Sequence, residues 1–153
     1  MKIKKEYIVI PLITFLTAFV GSLFTTTTGW YQTLKLPNIA PPGSVIGMVW
    51  TFIFICSAIS AIIAWNKISG VRKNEVAGLF IVNALLNIFW SYIFFVQHLI
   101  GLAIFEAGIL CLTVWFLIFM IWKYSKISAV LLFPYAFWTA FASYLTYLIW
   151  TLN

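Results

Sequence analysis

Acidic residues are almost missing from this chain. It has no Asp, and Glu6, Glu75 and Glu106 are its only acids. Histidine occurs once, as His98, and cysteine twice, as Cys56 and Cys111. Paired-carboxylate catalysis, a Ser-His-Asp triad and a His/Cys metal cluster therefore each lack parts. Gly43 and Gly47 make no phosphate loop, because neither a strand nor a P-loop lysine accompanies them. No metal set or intrinsic cofactor is legible, and any chemistry must come from a bound molecule.

Charge of either sign is scarce too. Charged residues make up 8% of the chain and hydrophobic ones 64%, whereas roughly a quarter of the residues in a soluble domain are charged. Such a chain cannot hide its apolar surface from water at this length, so a membrane protein is expected. The net charge of +6 does not indicate nucleic acid. Its nine basic residues stand singly at the ends of apolar runs, with no dense patch interleaved with aromatics. Cys56 and Cys111 fall within apolar runs and read as small buried hydrophobes.

Long apolar runs are what the chain has in quantity. Crossing some 30 Å of hydrocarbon takes about 20 residues at 1.5 Å rise. Five runs qualify, at 7–27, 44–65, 76–96, 99–122 and 127–150. Lys2, Lys4 and Lys5 before the first could suggest a signal peptide. That run is longer than a signal core, and no A-x-A site follows it. The expected fold is an all-α membrane protein, a bundle of five transmembrane helices forming one domain over 1–153. Lys2, Lys4, Lys5, Lys67, Arg72, Lys73, Lys123 and Lys126 fall on one side of such a bundle and Lys35 alone on the other. The positive-inside rule then puts the N-terminus inside, the C-terminus outside and the loop 28–43 outside.

Polar and aromatic residues recur at helical spacing. Asn83, Asn87, Trp90 and Phe94 share a stripe of the third span. Amides at membrane depth face protein, water or a ligand, so both interhelical hydrogen bonding and ligand contact are open to them. Glu106 is costly in a span, and reads as a hydrogen-bonded support for the bundle or as a functional group. Trp50, Phe54, Ala58 and Ala61 line a face of the second span, and Pro134, Trp138, Ala142 and Leu145 a face of the fifth, which Pro134 is expected to kink. Trp65, Trp122 and Trp150 fit an interfacial belt. Trp50 and Trp138 lie deeper and are pocket candidates. His98, in a two-residue turn, reads as a solvated interfacial residue.

Three segments carry a family resemblance. "WYQTLKLPNIAPPGSVIGMVW" (30–50) resembles the signature of the TspO/MBR (tryptophan-rich sensory protein / translocator protein) family, once termed peripheral-type benzodiazepine receptors. "NALLNIFWSYIFF" (83–95) and "LLFPYAFWTAFASYLTYLIWTLN" (131–153) are similar to its third and last spans. The resemblance implies a bacterial plasma-membrane protein, commonly a homodimer. It also implies an outer-facing pocket for porphyrins such as protoporphyrin IX or haem, sterols, and isoquinoline- or benzodiazepine-type molecules. Ligand positions carried over from the family are Tyr31, Pro41, Trp50, Asn83, Asn87, Trp138 and Ala142; the stripes add Phe54 and Trp90. Passive binding and light- and oxygen-dependent porphyrin breakdown both remain open, with Trp50 and Trp138 as the oxidisable indoles. A sterol or small-molecule translocator, or an accessory subunit without a ligand, is the alternative. Thr151 stands where the animal cholesterol motif after Leu145 and Tyr147 needs a base, which favours porphyrin. "GLFIVNAL" resembles a proposed family dimer motif, and Gly78, Val82 and Leu85 lie opposite the polar stripe, so they are the expected dimer contacts. Pro37, Pro41 and Pro42 stiffen the loop 28–43, and Trp30 and Tyr31 give it an apolar underside, so it reads as a lid.

Overall fold

The computed structural model describes residues 4–153; Lys2, counted above among the basic residues, lies outside them. Helices dominate: α1 (Glu6–Phe24), a one-turn α2 (Trp30–Thr33), α3 (Gly43–Lys67), α4 (Gly70–Ser91) running into a π-helical turn (Tyr92–Val96), α5 (Ile100–Trp122), a short α6 (Lys126–Val130) and α7 (Phe133–Leu152). Five helical stretches are long and apolar enough to span a bilayer: α1, α3, α4 with its π turn, α5, and α6 with α7. One end of the bundle carries Lys5, Lys67, Arg72, Lys73, Lys123 and Lys126 and is called the basic end. The other, formed around α2 and the C-terminus, is the lid end.

Two helix boundaries differ from the sequence expectation. The third span begins at Gly70, not at residue 76. Its charged first turns are still helical because Arg72 and Glu75 pair at 2.6 Å one turn apart, and Gly70 supplies the positive φ of 63° that the tight α3–α4 connection needs. The fifth span is broken at Leu131–Leu132, not kinked at Pro134. Pro134 sits in the first turn of α7, where a missing N–H costs no hydrogen bond. Ser125 caps α6 by accepting from the Ser128 amide at 3.3 Å.

The break lets α6 lie flat against α3. Ser60 and Ser128 are both fully buried, and each hydroxyl donates to the other's carbonyl at 2.8 Å. Such reciprocal bonds require backbones in close contact, which small residues permit in lipid. Around this contact, Ile53, Ala64, Leu110, Val114, Leu117, Ile121, Leu132 and Ala136 form a dense core between α3, α5 and α7. By contrast, α1 buries only Thr17 and Gly21. It touches α4 where Gly21 lies beside Ser91.

Candidate functional site

The loop 28–43, expected to act as a lid, is held by aromatic packing. Gly29, with φ 65°, turns the chain out of α1 and into α2. The Trp30 ring meets Phe94 edge-on at 5.7 Å and stacks on His98 at 4.0 Å. Tyr31 packs on Phe95 at 5.6 Å. Phe94 in turn stacks on Trp90 at 5.1 Å. The π turn allows this, because its extra residue places Phe94 and Phe95 edge-to-face at 4.9 Å beneath the lid. His98 is solvent-exposed as expected, but its ring also holds the lid. Burial raises the Tyr31 hydroxyl pKa above its ordinary value. At the far side, the Lys35 amide donates to the Asn153 side-chain oxygen at 2.9 Å, and Asn153 donates back to the Lys35 carbonyl at 3.1 Å.

A cavity lies on the other side of the asparagines. About 630 Å³ in volume, it lies between α1, α3 and α4 and runs from the basic end to the middle of the bundle. Its walls are apolar side chains of these helices, among them Ile13, Phe54, Ala61, Phe80 and Ala84. Its deep end is polar, formed by Asn83, Asn87, Ser57 and Tyr135. Its rim carries Lys5, Glu6, Trp65 and Lys73. The sequence reading placed a pocket beneath the lid, at the opposite end. At that end Trp30, Tyr31, Trp90, Phe94 and Phe95 pack on one another.

The deep end joins the two roles left open for the amides. Asn83 Nδ2 donates to Thr113 Oγ1 at 2.9 Å, tying α4 to α5. Asn87 Nδ2 donates to the Tyr135 hydroxyl at 3.2 Å, tying α4 to α7. Both residues are buried among protein and also face the cavity. Each amide spends N–H capacity on a neighbouring helix and keeps a carbonyl oxygen, a good acceptor, for an occupant. Ser57 Oγ is buried without a hydrogen-bond partner among the described residues.

Of the positions read from sequence, Phe54, Asn83 and Asn87 come together on the cavity wall. Tyr31 and Trp90 belong to the lid cluster. Trp50 stands one ring behind the floor, edge-on to Tyr135 at 5.8 Å. Trp138 packs on Phe141 at 5.4 Å and against the central core. Pro41 and Ala142, both half-buried, are not among the residues lining the cavity. The indole N–H groups of Trp90 and Trp138 are buried without partners among the described residues. Glu106, read as a hydrogen-bonded support or a functional group, is buried with neither carboxyl oxygen bonded among those residues. Sequence reasoning missed Tyr135, Ser57, Lys5 and Lys73 as cavity residues. Tyr135 carried a signal, since a hydroxyl beside Pro134 in an apolar run needs a partner; the lysines read only as markers of topology.

No group of three or more His, Cys, Asp or Glu that could hold a metal occurs among the described residues. Both cysteines are free. The site can therefore enclose a flat or elongated apolar molecule, meet its polar edge at the asparagines, and present cations at the rim.

Comparison with known proteins agrees with this architecture. The TspO/MBR family profile matches residues 8–151. The chain is 36% identical to the tryptophan-rich protein TspO of Bacillus cereus over 154 aligned residues, covering all of both chains. It is 30% identical to the human translocator protein over 148 residues, covering 90% of this chain and 84% of that one. With the CrtK protein of Rhodobacter capsulatus it shares 30% identity over 129 residues, covering 81% of this chain and 78% of that one. The chain is a multi-pass membrane protein of the TspO/MBR family.

Proposed function

We propose that this protein binds a tetrapyrrole such as protoporphyrin IX or haem within the bilayer, for sensing, trafficking or photo-oxidative breakdown. One observation carries the reading: a cavity of about 630 Å³ with apolar walls ends in two buried asparagines and a tyrosine hydroxyl. That volume falls within the range of small-molecule sites, and the few convergent polar groups are what would orient a flat ring. Isoquinoline- and benzodiazepine-type molecules share the flat apolar body and would compete. The distribution of lysines favours an N-terminus inside a bacterial plasma membrane. Adding protoporphyrin IX to purified protein should quench tryptophan emission saturably, and Asn83→Ala with Asn87→Ala together should weaken that binding about ten-fold. Unsaturable quenching, or an unchanged affinity in the double variant, would remove the site.

Light-driven breakdown is the second reading, favoured by the position of Trp50 behind Tyr135. A photoexcited porphyrin and oxygen would supply the oxidising chemistry, and the protein would hold an oxidisable indole near the ring. Illumination in air should then bleach the porphyrin band faster in the complex than in detergent, and Trp50→Phe should slow it.

The same molecule is proposed to form a homodimer through α4. Val82 and Leu85 are about half exposed, and a Cβ placed on Gly78 meets nothing within 4 Å. This glycine therefore leaves room for a close helix approach from a second copy.

A further inference from the structure

The rim of the cavity holds charges that neither the fold nor the ring-binding reading uses. Lys5 precedes the first turn of α1, Lys73 lies in the first turn of α4, and both line the cavity. Their neighbours have other partners. Arg72 is paired with Glu75 at 2.6 Å, and Lys4 donates to Asn66 at 3.3 Å. The side chains of Lys5 and Lys73 have no ion-pair or hydrogen-bond partner among the described residues. Lys73 Nζ instead sits 4.0 Å above the Trp65 ring, which holds the ammonium at the cavity edge. Glu6 is the one acid on the rim. It belongs to the first turn of α1, where the helix dipole favours an anion, and it leaves two cations against one carboxylate.

Below this rim, down to Asn83 and Asn87, the walls are apolar apart from Thr14 and Thr17, whose hydroxyls donate to carbonyls of their own helix. A site with cations at a membrane-surface mouth, an apolar shaft and a polar floor is complementary to an amphiphile whose acid group is at one end. We infer that Lys5 and Lys73 form a carboxylate-binding subsite, and that the cavity takes an apolar acid inserted body-first from the basic end of the bundle. The inference rests on the tetrapyrrole reading only for the identity of the body. It adds the recognised group, the orientation of the ligand and the side of the membrane from which it comes. Val9, Ile13 and Ile81 are exposed on the α1 and α4 edges of the cavity. The apolar body can therefore enter laterally from the lipid while the carboxylate stays at headgroup level, where a lysine side chain reaches it without burying its charge.

The test uses full-length protein in phosphatidylcholine nanodiscs, titrated with protoporphyrin IX and with its dimethyl ester. The ester keeps the ring and removes the charge. The quantity read is the acid-to-ester affinity ratio, compared between wild type and a Lys5→Gln, Lys73→Gln variant, so that partitioning into the disc cancels. The ratio should fall about ten-fold in the variant, the size of losing a charge-assisted contact to a carboxylate, while ester affinity stays unchanged. An unchanged ratio overturns the subsite. A second probe pair, cis-parinaric acid and its methyl ester, separates this outcome from the ring reading. Acid-selective binding of parinarate that the variant loses, with no binding of either porphyrin, keeps the carboxylate subsite and removes the tetrapyrrole. Failure of both probe pairs to bind removes both. Repeating the titration in discs containing phosphatidylglycerol distinguishes a free acid from a lipid phosphate. Loss of acid selectivity in wild type there would assign the lysines to lipid headgroups and overturn the proposal; retained selectivity supports it.

Discussion

The two sides of this bundle are built differently. α5 buries nine residues, from Ala103 to Ile121, whereas α1 buries two, Thr17 and Gly21. The α3–α5–α6–α7 side is closed by small residues and reciprocal hydrogen bonds, as at Ser60 and Ser128. The α1–α3–α4 side encloses a cavity. Helices on both sides are apolar enough to span a bilayer, so hydrophobicity alone does not separate the two. In lipid, helices associate through packing and polar contacts, not through expulsion from water. Where close-fitting residues are absent, the bundle keeps space, and a ligand can use it.

Substitutions that enlarge a side chain should break this contrast most sharply. Ser60→Leu removes the hydroxyl that donates to the Ser128 carbonyl and forces apart a contact with no space, so it should cost about 3 kcal/mol or more and lower the thermal midpoint in detergent. The same enlargement across the bundle should act on binding instead. Ala84→Leu projects into the cavity and should leave the unfolding temperature within a few degrees, while porphyrin affinity falls about ten-fold. Equal loss of stability in the two variants would mean that the cavity side is packed as tightly as the core.

A smaller effect is expected where the two sides meet. Asn87→Ala loses the bond to Tyr135 and should cost about 1 kcal/mol in stability. Asn87→Asp keeps the shape and can accept from the Tyr135 hydroxyl, but it buries an acid at membrane depth, so it should be the worse of the two. The smallest effect on the bundle itself belongs to the outer face of α4. Gly78→Leu meets open space within its own chain, so stability and porphyrin affinity should barely change. If the proposed dimer forms there, the variant should run as a monomer on sizing in mild detergent.

Much of this was legible from the residues. Apolar runs of about 20 residues are read almost directly as spans, because lipid allows little else. The four-residue spacing of Asn83 and Asn87 placed both amides on one inward face, since a helix fixes that relation locally. What depends on a partner helix was not readable. The start of α4 at Gly70 was obscured by charges that pair along the helix at Arg72 and Glu75. The break before α7 depends on Ser128 meeting Ser60, which is 68 positions away. The position of the cavity depends on whether the lid aromatics fill their own end. Trp30 and Tyr31 pack on Phe94 and Phe95 of the π turn, and no periodicity in the chain announces a π turn.

The central claim is that the ligand occupies the basic-end cavity and not the space beneath the lid. Ala84 lines the cavity, and Ala142 on α7 does not. Protoporphyrin titration of Ala84→Phe and Ala142→Phe, each first shown to unfold at a wild-type temperature, separates the two places directly. Ala84→Phe should lose binding by about ten-fold or more, while Ala142→Phe stays within a few-fold of wild type. Binding retained by Ala84→Phe and lost in Ala142→Phe would put the ligand at the lid end and contradict the account.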